Sequence, residues 1–187
     1  MHYYNKWKVF LTESVDNRKG YSFDFDSTLI KLKLVKGIDE DGDPYVDLKY
    51  DGPHEENLST LKKLLRDKNN KVYIVTSRNK PTGIRHPHDD TPSPEEFAEE
   101  HGLAGKLAGI IYTNGAPKID TLKKPEMNIV KHWDDDQHEL DAIEAYNADN
   151  PDNKIEHELV PRNDIPEEVN EMIKAKYKKF YAGLAKK

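Results

Sequence analysis

The chain has 187 residues and a net charge of −6. Its length suggests one domain, 1–187, and is sufficient for a hydrophobic core. The absence of cysteine excludes a disulfide framework, a zinc–thiolate site and a cysteine nucleophile. The charge disfavours broad, non-specific nucleic-acid binding, and no apolar run approaches the ~20 residues of a membrane helix. The first residues also lack the apolar core of a signal peptide. We therefore expect a cytoplasmic protein that does not contact a membrane, and we infer no obligate protein partner.

Short apolar runs alternate with helical patterns along the chain. The predicted strands are 20–25, 71–77, 109–114, 127–133 and 154–160. The predicted helices are 55–70, 93–102 with Ser93 as N-cap and Pro94 at its first position, 136–149, and a long terminal helix, 165–187. Strands separated by helices favour an α/β fold with a mostly parallel, five-stranded, Rossmann-like sheet covered by helices on both faces.

Two segments interrupt this alternation. Period-2 patterns flank the turn 39–43, DEDGD, and predict a β-hairpin at about residues 30–52, inserted directly after the first strand as a small cap. A Pro- and His-rich loop follows the second strand and contains His86, His88, Asp89 and Asp90. These four side chains could form a metal or substrate site, although a solvated loop is the commoner meaning of such a segment.

Polar side chains cluster where the predicted strands end. The first strand ends in Asp24 and Asp26, the second in Thr76-Ser77-Arg78, and the fourth in three consecutive aspartates, 134–136. The carboxyl ends of parallel strands form one edge of a sheet, where ligands bind. We therefore expect these carboxylates to converge, and so many cannot stay ionised side by side unless a cation joins them.

Oxygen ligands in a small site suit Mg²⁺, which binds a few carboxylates, waters and a substrate phosphate. A hydroxyl such as that of Thr76 and an ammonium such as that of Lys118 can hold phosphate oxygens. A carboxylate can attack phosphorus and form an aspartyl-phosphate. A second carboxylate two residues further can protonate the leaving group and later activate water. The guanidinium of Arg78 suits a phosphate or a base edge.

The stretches DFDSTL and HWDDD, with a strand ending in Thr-Ser and a lysine between them, resemble the haloacid-dehalogenase-like phosphohydrolase superfamily over about residues 20–145. The resemblance implies a nucleophile, a general acid/base, a phosphate-binding hydroxyl, a neutralising lysine and a Mg²⁺ site. These roles fall on Asp24 (nucleophile), Asp26 (acid/base), Thr76 (hydroxyl), Lys118 (lysine), and Asp134, Asp135 and the backbone carbonyl of Asp26 (metal). Apart from the resemblance, Asp24 is expected as a further metal ligand, and Ser77 and Arg78 as further substrate-binding residues.

Three details depart from the family pattern or leave it open. Ser27 stands where the family usually has a glycine. Lys123, Lys124 and Lys131 compete with Lys118, which is favoured because it follows the third strand and a Gly-Ala-Pro loop and should open the next helix. The three aspartates leave the register of the acidic pair open by one residue, and Asp134 with Asp135 is favoured because it is nearest the strand end.

The same motifs are similar to the phosphatase half of polynucleotide kinase-phosphatases, which removes 3′-phosphates from nucleic-acid ends. A small nucleotidase is the rival interpretation, and so the substrate is expected to be a phosphorylated small molecule, a nucleotide or a nucleic-acid end. A catalytically inactive binding or scaffold member of the fold is the alternative to a phosphatase. Six lysines in the last 14 residues could hold an oligonucleotide, but a solvated helix face is the simpler interpretation.

Overall fold

The computed structural model describes residues 16–38, 44–80 and 91–161. Its elements alternate as the sequence predicts. In chain order they are β1 (Lys19–Phe23), β2 (Ile30–Ile38), β3 (Pro44–Pro53), α1 (Glu55–Leu64), β4 (Asn70–Thr76), α2 (Pro94–Glu100), β5 (Gly109–Tyr112), α3 (Ile119–Leu122), β6 (Ile129–Asp134), α4 (Gln137–Asp149) and β7 (Glu156–Leu159).

Five of the strands form one parallel sheet in the order β5-β4-β1-β6-β7. This confirms the predicted α/β class and the five-stranded parallel sheet. β1 lies in the centre, where it pairs with β4 on one side and β6 on the other. The carboxyl end of β1 therefore lies between the carboxyl ends of both neighbours.

The strands β2 and β3 pair with each other in a separate antiparallel sheet. This confirms the hairpin that the sequence predicts directly after the first strand. Leu32 is buried, and Leu48 and Tyr50 pack against the same hydrophobic cluster as β1. The hairpin is therefore anchored to the core beside the end of β1.

The buried apolar side chains form two clusters, and alternate residues of β4 belong to different ones. Val72 and Ile74 join a cluster with residues of α1 and α2, whereas Val75 joins a cluster with Leu122 of α3 and Leu140 of α4. Successive side chains of a strand point to opposite faces of a sheet. Each cluster therefore belongs to one face of β4.

Local sequence signals set the start of α2. Ser93 caps α2 in a capping box with Glu96, and Pro94 is the first helical residue, which confirms both predictions. The predicted terminal helix with its lysines, the turn 39–43 and the loop with His86, His88, Asp89 and Asp90 lie outside the described residues. Within the ranges given above, no helix is long and apolar enough to cross a membrane.

Candidate functional site

The site begins where β1 and β6 end side by side. The backbone N–H of Asp24 donates to the carbonyl oxygen of Trp133 at 2.8 Å, which extends the β1–β6 pairing by one residue. Asp134 is the last residue of β6. Both side chains are buried, Asp24 at 4% exposure and Asp134 at 0%. The parallel pairing therefore places two carboxylates next to each other at the carboxyl edge of the sheet, as the sequence predicts.

Lys118 joins the two carboxylates. Its ammonium lies 2.7 Å from Oδ1 of Asp24 and 2.6 Å from Oδ2 of Asp134, and the residue is 3% exposed. Lys118 is the N-cap of α3, and its backbone N–H donates to Glu139 of α4 at 2.9 Å. Two helix ends thus hold the lysine in place, and its position at the start of the next helix agrees with the prediction.

The other lysines that competed for this role have different partners. Lys123 pairs with the exposed Asp120, and Lys131 pairs with Glu158 and lies over the ring of Trp133. Lys124 is exposed. Among these four lysines, the structure thus brings Lys118 to the buried carboxylates.

Three carboxylates could hold a metal ion together. Asp24, Asp134 and Asp135 each offer an oxygen, and these oxygens all lie within 4.8 Å of one another. Asp136 instead caps α4, where its side chain accepts from the N–H of His138 at 3.0 Å. The structure therefore groups Asp134 and Asp135, the favoured register, with Asp24 and gives Asp136 a structural role.

The charge balance of this group fits a divalent cation. Three carboxylates and the one ammonium of Lys118 leave two formal negative charges at a largely buried site. Carboxylate oxygens are hard ligands, which is the donor chemistry that Mg²⁺ prefers. The residues present thus fit a Mg²⁺ ion in both ligand type and charge.

Burial and crowding shift the titration of the buried groups in different directions. Desolvation, together with the charges of Asp134 and Asp135, raises the pKa of Asp24 well above its ordinary value, although Lys118 opposes this shift. Desolvation would also raise the pKa of Asp134, but hydrogen bonds from His132 and Lys118 outweigh it and lower that pKa to about 2. Burial disfavours the ammonium of Lys118, yet Asp24 and Asp134 raise its pKa above the ordinary value. The pKa shifts thus favour the charged forms of Asp134 and Lys118, while a further cation would stabilise the ionised form of Asp24.

Asp26 lies in a separate ion pair. Nε of Arg78 donates to one of its oxygens at 2.8 Å, and Nη2 of Arg78 donates to the other at 2.6 Å. The guanidinium also donates to Thr91 and to the carbonyl of Pro92, both at 2.9 Å, and lies 4.9 Å from the ring centre of Phe25. The Asp26 carboxylate is thus not in the three-carboxylate group, and Arg78 contacts the predicted acid/base.

The predicted phosphate-binding residues at the end of β4 differ in burial. Thr76 is 1% exposed, and its hydroxyl accepts from the backbone N–H of Arg78 at 3.2 Å. Ser77 is exposed, and its carbonyl accepts from Gly115 at 3.0 Å. Thr76 therefore shapes the turn that leads to Arg78, and Ser77 lies on the surface of the same turn.

The turn after Asp24 is held by contacts that motif matching does not reveal. Ser27 has a φ of 58°, a conformation in which glycine has no steric cost. The side-chain amide of Asn57 on α1 donates to the carbonyl of Thr28 at 2.8 Å. The hydroxyl of Thr28 donates to Asp135 at 3.3 Å. The turn is therefore tied to both α1 and the metal-binding candidates.

The sequence reasoning missed His132, which is fully buried next to Asp134. The signal was present, because residues two apart on a strand share a face of the sheet. Ser22 on β1 with Asp24 directly after that strand, and His132 with Asp134 on β6, form two such pairs side by side. A polar residue at every second position of two core strands predicts a polar patch on one face of the sheet.

No protein-family model matches the chain, and no curated protein or solved structure is significantly similar to it. Function is therefore inferred from the side-chain geometry and the order of the motifs.

Proposed function

We propose that this protein is a Mg²⁺-dependent phosphomonoester hydrolase that works through an aspartyl-phosphate on Asp24. One observation carries the proposal: the buried carboxylate of Asp24 contacts Lys118, which also contacts Asp134, at the carboxyl edge of a parallel sheet. A structural ion pair does not need a second buried carboxylate and a third one within 4.8 Å. Such crowding is costly for folding and is typical of a site that binds a cation and an anion.

Asp24, Asp134 and Asp135 are the residues that would hold the Mg²⁺ ion, with the backbone carbonyl of Asp26 as a further ligand implied by the resemblance. When bound, the ion supplies positive charge that offsets the charge of the carboxylates and of the phosphoryl group. The ammonium of Lys118 adds a fixed positive charge beside Asp24. The site thus combines a nucleophilic carboxylate with the positive charge that a phosphate dianion needs to approach it.

The reaction would proceed in two displacements at phosphorus. A carboxylate oxygen of Asp24 forms a bond to phosphorus while the bond to the leaving oxygen breaks, and Asp26 gives its proton to that oxygen. Asp26 then takes a proton from water, whose oxygen attacks phosphorus and displaces the Asp24 carboxylate. The products are an alcohol and inorganic phosphate. Arg78 donates one hydrogen bond to each oxygen of Asp26, so the proton would occupy one of the lone pairs that these two contacts leave free.

The proposal includes the finer features of the fold that the resemblance implies. These are one phosphatase domain over 1–187, a Rossmann-like sheet with helices on both faces, and the β2–β3 hairpin as a small cap. The division of the core into two clusters, one with α1 and α2 and the other with α3 and α4, supports helices on both faces. The packing of Leu32 and Tyr50 beside β1 supports a cap close to Asp24.

The decisive experiment is hydrolysis of p-nitrophenyl phosphate by the full chain with Mg²⁺ and after removal of metal with EDTA. We expect turnover that requires Mg²⁺. Asp24→Asn, which is nearly isosteric, should lower kcat by at least about a thousandfold, since single nucleophile knockouts remove most of an enzyme's rate enhancement. Asp152→Asn is the matched control, because Asp152 is an exposed residue in the turn before β7, at the opposite edge of the sheet.

Two results would contradict the proposal. Residual activity of Asp24→Asn within tenfold of the wild type would exclude a covalent role for Asp24. Full activity after exhaustive chelation would exclude the metal requirement. A folded wild-type protein that binds Mg²⁺ and phosphate without any turnover would instead favour the alternative, an inactive binding or scaffold member of the fold.

The substrate is proposed to be a nucleotide-type phosphomonoester, with the length of the nucleic acid left open. A cap as small as a hairpin would suit a polymer end, whereas the net charge of −6 favours a smaller anion. Comparing kcat/KM for 3′-nucleotides, 5′-nucleotides and 3′-phosphorylated oligonucleotides separates these possibilities. A cytoplasmic location is part of the same proposal and rests on the sequence composition.

A further inference from the structure

A buried histidine connects the metal-binding candidates to the centre of the sheet. Ser22 of β1 and His132 of β6 are direct partners across the parallel pair, and both are 0% exposed. Asp134 follows two residues after His132 on the same strand, so its side chain points to the same face. The strand register alone thus places Ser22, His132 and Asp134 in a row.

Both ring nitrogens of His132 have partners in this row. Nε2 lies 2.9 Å from Oδ2 of Asp134, and Nδ1 lies 2.8 Å from the hydroxyl oxygen of Ser22 and 3.2 Å from its carbonyl oxygen. An ionised carboxylate only accepts hydrogen bonds, so Nε2 carries the hydrogen of the contact to Asp134. In the neutral ring Nδ1 then accepts from the hydroxyl of Ser22, and in the protonated ring Nδ1–H donates to an oxygen of Ser22, so Ser22 holds the ring in either form.

The contacts of Asp134 show what this arrangement achieves. Oδ2 accepts from Lys118 at 2.6 Å and from His132 at 2.9 Å, while Oδ1 accepts from the backbone N–H of Asp136 at 2.9 Å. Donors on both oxygens prevent the carboxyl plane from rotating. Lys118 also contacts Asp24 and would be drawn by an incoming phosphate, whereas the hydrogen bonds of His132 go to Asp134 and Ser22. His132 is therefore the side chain whose hydrogen bond can hold Asp134 while the charges around Lys118 change.

We propose that His132 is a positioning residue for a divalent cation: its Nε2–H orients the Asp134 carboxylate, and the hydroxyl of Ser22 orients the imidazole ring. This inference rests on the proposed metal site and names the residues that tune it. Partners of this kind behind a metal ligand typically change metal affinity 10- to 100-fold when they are removed. A histidine that only fills space in the core would affect folding and leave cation affinity unchanged.

The test is calorimetric titration of Mg²⁺ into the metal-free full chain, which measures binding without reference to activity. His132→Phe keeps a planar ring but removes the donor, and we expect its Kd for Mg²⁺ to rise about 10- to 100-fold. His132→Gln offers an amide N–H near the position of Nε2 and should restore most of the affinity. His101→Phe is the matched control, because His101 packs on Phe97 at the end of α2 and has no part in the site.

The kinetics give a second readout that a purely structural role does not move. With His132→Phe the Mg²⁺ concentration for half-maximal hydrolysis should rise by the same factor as Kd, while kcat at saturating Mg²⁺ falls much less. If His132→Phe does not fold, Ser22→Ala decides the question, since it removes only the hydroxyl that orients the ring. In Ser22→Ala, a Kd for Mg²⁺ raised at least about threefold supports the proposal, because losing an outer partner of a metal ligand weakens binding.

Equal Mg²⁺ affinity in the wild type, His132→Phe and Ser22→Ala would overturn the inference and leave the proposed hydrolase intact. A wild-type protein that hydrolyses phosphomonoesters but binds no Mg²⁺ would remove both the metal site and the role of His132. A wild type that binds Mg²⁺ with the expected dependence on His132 but turns over no phosphate would support the positioning role and count against the hydrolase alone.

Discussion

In the folded protein, the surroundings of Asp24 disfavour the ionised form of its carboxyl group. It is 4% exposed, and its neighbours include the carboxylates of Asp134 and Asp135 as well as the ammonium of Lys118. Desolvation is the largest effect and raises its pKa, the two carboxylates raise it further, and Lys118 compensates only in part. In the metal-free protein the ionised form of Asp24 therefore destabilises the fold.

The raised pKa of Asp24 predicts how the free energy of unfolding depends on pH. Because the folded pKa of Asp24 lies above its unfolded value, the stability that this carboxyl contributes is full below the unfolded pKa and is lost as pH rises through the folded pKa. Asparagine stays neutral throughout. In EDTA, the Tm of Asp24→Asn should thus exceed that of the wild type by several degrees at pH 7, and the difference should shrink towards pH 4, as followed by circular dichroism melting.

Asp134 titrates in the opposite sense and serves as an internal comparison. Its folded pKa is lowered to about 2, so its contribution is present above the unfolded value of 3.8 and is lost as pH falls towards 2. Asp134→Asn should therefore lower Tm at pH 7 and leave it nearly unchanged at the acid end. If Asp24→Asn behaved in the same way as Asp134→Asn, the destabilising role of the buried Asp24 would be wrong.

At the scale of the elements, the position of β1 depends on a close approach at its start. A Cβ atom on Gly20 would lie 2.2 Å from the carbonyl oxygen of Met127 and 2.9 Å from that of Asn128, both of them backbone atoms. The N–H of Gly20 donates to the same carbonyl of Asn128 at 2.7 Å, and the β1–β6 register shifts between Gly20 and Tyr21. The chain can enter the centre of the sheet here only without a side chain.

Gly20→Ala should therefore separate β1 from the segment before β6. Inserting a methyl group into such a contact costs about 1–3 kcal/mol, and a Tm loss of about 2–4 °C accompanies each kcal/mol in a chain of this size. Gly109→Ala is the matched control in β5, since its Cβ would meet only the ring of Tyr73 at 3.5 Å. Thermal melting of both variants measures the difference, and equal Tm values would show that the approach at Gly20 is not tight.

At the scale of the whole molecule, negative charge can build up at one largely buried site. The chain has a net charge of −6, and with all three carboxylates ionised the group of Asp24, Asp134, Asp135 and Lys118 carries two net negative charges. Surface charges are screened by salt, whereas buried ones are screened much less. A divalent cation that binds this group should therefore stabilise the fold far more than an equal ionic strength of a monovalent salt.

We expect Mg²⁺ to raise the Tm of the metal-free protein. Binding only to the folded chain stabilises it by about 2.7 kcal/mol at 100 times Kd, a rise on the order of 5–10 °C. Differential scanning fluorimetry measures this rise in Tm, with NaCl at matched ionic strength as control. In the p-nitrophenyl phosphate assay, Ca²⁺ should support less hydrolysis than Mg²⁺, because its longer and more irregular coordination misplaces the attacking group. An equal rise in Tm with NaCl, or an equal rise with Mg²⁺ in Asp134→Asn, would contradict a specific site.

The sequence by itself determined the features that depend on neighbouring residues. Apolar runs gave the five parallel strands, alternation gave the β2–β3 hairpin, and Ser93 with Pro94 gave the start of α2. Period and capping are local properties, since they arise from dihedral preferences and hydrogen bonds within a few residues. The order of polar strand ends also predicted that Asp24 would meet Asp134 and Asp135, because parallel strands bring their carboxyl ends to one edge. The expectation that the Asp26 carboxylate joins them was wrong, since it pairs with Arg78.

Only the tertiary structure decided which side chains contact one another across that edge. In the structure it is Lys118, and not Lys123, Lys124 or Lys131, that contacts Asp24. Asp136 caps α4, and Asp26 forms an ion pair with Arg78. The tertiary structure also placed His132 between Ser22 and Asp134, although Ser22 and His132 are 110 residues apart in sequence. The physical reason is strand register: the β1–β6 pairing sets which residues face each other, and no local pattern in either strand contains that information.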